Sequence, residues 1–225
     1  MKRLVPIMML LLVGMAPTAA VRAQAVNDET RMVNRAVDTV ERIRGEAMRR
    51  DMIADKLAHA RAVLIVPDLV KGGFILGAEY GTGVLLTRDP NGTWNGPAFY
   101  SIASGSVGLQ IGLQDSETVY VIMSDNGLYA VMNDKMKLGA DANVALIVVG
   151  GGAEASTTTN VGADIYAFST AVGLFGGVSL QGSGILPRHS WNAEYYGGQP
   201  TPEDILIYHR YSNPQASRLK DVLAR

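Results

Sequence analysis

The side chains that could carry chemistry in this chain are few and poorly grouped. Its three histidines, His59, His189 and His209, lie far apart, and none stands at a metal-ligand spacing. Cysteine is absent, which excludes thiolate nucleophiles, disulfides and Cys-ligated zinc. Ser106 and Ser179 have glycines nearby, but not in the G-x-S-x-G order of a nucleophile elbow. Gly150-Gly151-Gly152-Ala153-Glu154-Ala155 matches G-x-G-x-x-A and follows an apolar run, as a dinucleotide fingerprint would. That fingerprint must open a helix whose N-terminus holds pyrophosphate, and the next residues, Ser156 to Asn160, are β-branched and helix-averse. A glycine-rich loop is the better expectation. Asp125-Asn126-Gly127 and the acids from Asp134 to Asp141 lack the alternating oxygen ligands of a calcium loop. The residues thus predict no enzyme, no cofactor and no metal.

One cationic feature stands out. Arg31, Arg35, Arg42 and Arg49 are four, seven and seven residues apart, so on a helix they share one face. Such a stripe suits anionic headgroups or a partner surface. Asp38 lies within it, and residues 26–61 carry eight basic against seven acidic side chains. A solvated, internally paired face is therefore the competing reading.

These residues need elements to hold them. Val33, Ala36, Val37, Val40, Ile43 and Ala47 follow three-and-four spacing, which predicts a helix capped by Asn27 or Asp28 and weakened at Gly45. A second short helix is expected over Asp51 to His59. From Ala62 the texture becomes strand: Ala62 to Val66 stopped by Pro67, Gly81 to Arg88, Val144 to Val149 covered on both faces, Asp164 to Ser169, and Gly177 to Leu186. Asp89-Pro90-Asn91-Gly92 fits a type I turn. Ser124-Asp125-Asn126-Gly127 predicts a hairpin between Val119–Met123 and Leu128–Met132. Of 25 glycines, 21 fall between residues 72 and 184, interleaved with apolar residues, as a strongly curved sheet requires. Thr201-Pro202-Glu203-Asp204 and Asn213-Pro214 each announce a C-terminal helix. The expected fold class is α+β, a glycine-rich, mainly antiparallel β core, barrel-like or sandwich-like, with an N-terminal helical arm.

The boundaries follow: a signal peptide over residues 1–25, the arm over 26–61, the core over 62–210 and a helical tail over 211–225. Lys2 and Arg3, an apolar run from Val5 to Ala16 and small residues up to Ala23 and Ala25 have the layout of a cleaved export signal. The expected location is therefore the periplasm or cell envelope. Without the leader the chain carries 17 basic and 21 acidic side chains, a net charge near −4 that disfavours nucleic acid.

Seven blocks, in order, resemble the SYLF lipid-binding domain family. They are Lys71-Gly72-Gly73-Phe74 with Tyr80-Gly81-Thr82-Gly83-Val84-Leu85, Trp94 to Phe99, Gly105 to Gly112, Leu138 to Ala142, Ile165 to Ser169, Gly173 to Ser179, and Asn192 to Gly197. The resemblance spans roughly Asp55 to Tyr208. It departs at Asn95, where relatives commonly have Ser, and at Leu146 to Gly150, where they have a Gly-Pro-Val-Gly turn. It implies a non-enzymatic protein that meets membrane lipid through an amphipathic helix ahead of the core, with actin filaments as a further partner of yeast relatives. On that basis the expected headgroup contacts are Arg42, Arg49, Arg50, Lys56 and Lys71. The apolar contacts are Phe74, Leu174 and Phe175. The partner is anionic membrane lipid or, alternatively, an envelope protein.

Overall fold

A computed structural model describes residues 27–47, 49–73, 76–107, 112–132, 137–138, 146–149, 163–170 and 183–225. The apolar spacing of the arm produces α1 (Asp28–Gly45), with Val33, Ala36, Val37, Val40 and Ile43 all buried. Each of the larger ones contributes about 1.5–3 kcal/mol on full burial. Asn27 caps it, its side-chain oxygen accepting from Thr30 N at 3.0 Å. Gly45 ends the helix, and α2 (Arg50–His59) follows.

Eight strands form one sheet: β1 (Ala62–Gly73), β2 (Leu76–Arg88), β3 (Trp94–Val107), β4 (Gly112–Ile122), β5 (Lys137–Leu138), β6 (Leu146–Val149), β7 (Ile165–Ser169) and β8 (Ser183–Pro187). Their order is β5-β8-β3-β2-β1-β4-β7-β6, antiparallel except for the parallel pair β6 and β7. The sheet is open rather than a closed barrel, so layering is what buries it. Between β4 and β5 lies α3 (Asp125–Met132); after β8 come α4 (His189–Tyr196), α5 (Pro202–Leu206) and α6 (Ser217–Ala224). On one face, α1, α2, α4 and α6 cover Val63, Ile65, Val84, Leu86, Phe99 and Val121. On the other, α3 and α5 cover Leu64, Leu85, Tyr100, Tyr120 and Ile165. Both faces are dry, which is why Ala62 to Val66 reads as unbroken apolar sequence rather than alternation.

Two expectations are corrected. Pro67 does not stop β1. It sits in a bulge where Ile65 pairs Val84 but Asp68 pairs Thr82, so Val66 and Pro67 together oppose Gly83. A bulge leaves ladder positions unpaired, and proline has no N–H to lose there. Nor is there a hairpin after Val119. Ser124 instead starts α3: its hydroxyl accepts from Gly127 N at 3.0 Å and its carbonyl from Leu128 N at 3.0 Å. The Asp89 turn forms as expected, its carboxylate accepting from Asn91 N and Thr93 N, each at 2.9 Å. Those bonds favour the ionised form and hold the Asp89 pKa below the usual carboxylate range. Thr201 and Asp204 form a reciprocal capping box on α5. β6 does form, and it ends the sheet order at one side; the cover of its faces lies outside the described residues.

β1, β3, β6 and β7 finish, and β2, β4 and β8 begin, at the same end of the sheet. Most of the glycines belong to these strand ends and to the chain between them.

Candidate functional site

The arm is a structural layer. Its apolar face is spent on the sheet, and the arginines of its stripe are paired. Arg35 meets the Asp68 carboxylate, which the β1 bulge turns towards α1. Arg42 Nε lies 3.2 Å from Glu117 Oε2, and the other oxygen of Glu117 accepts from Thr39 Oγ1 at 3.1 Å. Arg31 pairs with Asp28, and Arg218 of α6 lies 3.7 Å from Glu41. A groove of about 470 Å³ opens between the stripe and the sheet, lined by Arg35, Arg42, Asp38, Asp68 and Glu117 among others. Three carboxylates against two guanidiniums make it no receptor for an anion.

Arg49 is the clearest departure from expectation. Only 7% exposed, it donates from one guanidinium nitrogen to the Ser169 carbonyl at 2.5 Å and from another to Glu46. It ties the start of α2 to the last residue of β7 and cannot reach a headgroup. Lys56 is half-buried, its Nζ 4.9 Å above the Tyr166 ring and 3.1 Å from Asp55 Oδ2. Arg50 is exposed, and among the described residues its guanidinium reaches no carboxylate, only the Gly45 carbonyl at 3.4 Å. Lys71 lies on β1 between Glu79 and Gln114 of the neighbouring strands. Phe74, Leu174 and Phe175, like the Gly150–Ala155 segment, lie outside the described residues.

The three histidines stay apart: His59 contacts its own helix at the Asp55 carbonyl, and His209 the Leu206 carbonyl. Among the described residues no group of His, Asp and Glu is placed to hold a metal, and no helix is long and apolar enough to cross a membrane.

One titratable contact escaped sequence reasoning because its partners are 165 positions apart. Glu29, 2% exposed in the first turn of α1, shares a hydrogen bond with Glu194 of α4. Burial, then the second carboxyl, raises the Glu29 pKa. A raised carboxyl stabilises the fold below its unfolded pKa, and that contribution is lost as pH rises through the folded value. Glu29→Gln is therefore expected to raise the melting temperature near pH 7 and to leave it unchanged near pH 4. Melting curves across that range check it; a lower melting temperature at pH 7 would contradict it.

The blocks that carry the family resemblance are structural where they are described. A Cβ on Gly83 would lie 2.5 Å from the Ile65 carbonyl oxygen, and one on Gly81 2.7 Å from that of Asp68, so both glycines make room for the bulge. Gly96 has φ +104, facing Leu206. Asn192 is fully buried, accepting from Phe99 N at 2.8 Å, and Gly197 ends α4 in the left-handed region at φ 71. What these residues define is the scaffold of the fold.

Comparison places that scaffold in a known family. The family model described as Las17-binding protein actin regulator (Ysc84) matches residues 103–225, more than half of the chain. LAS seventeen-binding protein 3 of Saccharomyces cerevisiae is 30% identical over 155 residues, covering 68% of this chain and 34% of its own length. SH3 domain-containing YSC84-like protein 1 is 32% identical over 146 residues in Xenopus laevis (64% of this chain, 42% of that protein). Its Homo sapiens counterpart is 29% identical over 171 residues (76% and 50%). The chain belongs to the Ysc84, or SYLF, family. It spans a third to a half of the length of these relatives.

Proposed function

We propose that this chain is an exported, non-enzymatic membrane-binding module of the cell envelope, with the glycine-rich end of its sheet as the contacting surface. One observation carries the reading: the strand ends converge there, and the chain joining them is almost without charge. The joining residues 74–75, 108–111 and 171–182 contain Phe74, Leu174 and Phe175 and no ionisable side chain. Apolar residues without charge are what an interfacial contact needs. Arg50 and Lys71 add headgroup attraction, worth about 1 kcal/mol per cation near an anionic surface. Arg50 stands at the start of α2, which Arg49 ties to β7 just ahead of residues 171–182.

The test is co-sedimentation of residues 26–225 with vesicles of varied phosphatidylserine content and salt. Leu174→Asp with Phe175→Asp is expected to abolish binding. Arg50→Gln with Lys71→Gln is expected to weaken it about tenfold and flatten its salt dependence. Absence of binding at every composition would sink the lipid reading.

A second reading, a module that holds an envelope protein, is favoured by the ion pairs of Arg35, Arg42 and Arg49, which neutralise the arm. The yeast relatives named for Las17 binding give it a precedent.

A further inference from the structure

The helical layer covers the α1 face of the sheet only as far as the β1 bulge. Beyond it, two rows of paired residues keep exposed apolar side chains among the described residues. Leu186, Ser101, Thr82 and Asp68 pair in sequence across β8, β3, β2 and β1, and residues in direct register share a face. Two residues further along β2, Tyr80 pairs with Val70 of β1 on that same face. Leu186 is 46% exposed, Tyr80 54% and Val70 40%, apolar side chains from two adjacent rows of one face, beside the buried Thr82 and the Asp68 carboxylate that Arg35 pairs.

Arg188 stands at their side. Arg61 and Arg210 each face a carboxylate at 2.6 Å. Arg188 faces none among the described residues. Its guanidinium lies 3.6 Å from the centre of the Trp191 ring and donates to Thr82 Oγ1 at 2.9 Å, which fixes it in place. The Tyr80 hydroxyl is hydrogen-bonded to Ser101 and Thr82, and these bonds, with the Arg188 charge, hold its pKa below the ordinary tyrosine value. A rigid guanidinium held by Thr82 and the Trp191 ring, with no carboxylate among the described residues, is complementary to a carboxylate. Tyrosine and arginine beside aliphatic side chains are the composition of a protein-binding hot spot.

We infer that these rows form a docking surface for a protein segment of aliphatic residues bearing a carboxylate, which Arg188 receives. From β8 to β1 the row spans three strand spacings, about 14 Å, the reach of about four extended residues. With Arg35 held by Asp68, Arg188 is the cation in these rows that faces no carboxylate among the described residues, which suits a peptide carboxylate better than an acyl chain. It adjoins the glycine-rich end, Val70 being next to Lys71, but its recognition of a carboxylate stands whether or not that end binds lipid.

The test is fluorescence polarisation of the whole chain with labelled leucine-glycine decapeptides that carry one glutamate, varied in position, against the same peptides with lysine. Glutamate peptides are expected to bind and the lysine analogues to bind at least about tenfold more weakly, the cost of one charge-assisted contact. Arg188→Gln and Tyr80→Ser should each weaken glutamate-peptide binding by a similar factor. Tyr80 is exposed, so its variant keeps the test valid if Arg188→Gln disturbs folding. Equal binding of the two peptide sets, no binding of any glutamate peptide, or indifference to both substitutions would overturn the inference. So would an Arg188→Gln variant that loses only sedimentation with phosphatidylserine vesicles, which would assign the patch to lipid.

Discussion

Alanine in place of Gly83 is expected to cost the fold at least about 3–4 kcal/mol, a large part of a stability that is ordinarily about 5–15 kcal/mol. The reason is position rather than propensity. Gly83 opposes the two bulged residues Val66 and Pro67, and an added Cβ would meet the Ile65 carbonyl oxygen at 2.5 Å and Val66 Cγ2 at 2.9 Å. One of these neighbours is backbone in the centre of the sheet, held on its other side by β4, so it cannot retreat. Gly45, whose added Cβ meets nothing within 4 Å, is the internal control: Gly45→Ala should be neutral or mildly stabilising. Urea unfolding of both variants checks the contrast. A Gly83→Ala midpoint equal to that of the parent would show that the bulge is not held as described.

Arg49→Ala is the second large effect, about 3 kcal/mol. Removing the side chain strands the Ser169 carbonyl and the Glu46 carboxylate and detaches α2 from β7. Arg49→Lys should recover only part of the loss, because an ammonium cannot span both acceptors as a planar fork does. Arg42→Ala, by contrast, breaks a pair whose arginine is 59% exposed and should cost below about 1 kcal/mol. Thermal unfolding of the three variants gives the order directly. A loss at Arg42 equal to that at Arg49 would contradict the assignment of burial.

Elements whose cause is local were legible in the sequence. α1 follows from its apolar spacing and the Asn27 cap, α5 from Thr201 and Asp204, and the β2–β3 turn from Asp89 to Gly92. Elements whose cause is remote were not. Ser, Asp, Asn and Gly serve both hairpin turns and helix N-termini, so Ser124 to Gly127 misled; cover from the sheet decided for α3. Pro67 reads as a strand end unless two partner strands are known to accept a bulge. Arg49 is indistinguishable from Arg42 in a charged run, because its acceptor at Ser169 lies 120 residues away. The same holds for Arg188, whose hydroxyl partner Thr82 lies 106 positions away on β2. Layering itself was not legible: two covered faces were expected only for Val144 to Val149, whose cover lies outside the described residues, and the helices that cover the sheet could not be assigned from spacing alone.

The central claim is that the glycine-rich end of the sheet meets the bilayer. Its most direct measurement is tryptophan fluorescence of a Phe175→Trp variant with vesicles whose acyl chains carry bromine at known depths. The native tryptophans provide the reference, Trp94 being 2% exposed and Trp191 half-buried under Arg188. The account predicts quenching of the added fluorophore by shallow bromines and no quenching of the parent protein. Binding to vesicles without quenching of that variant would contradict it.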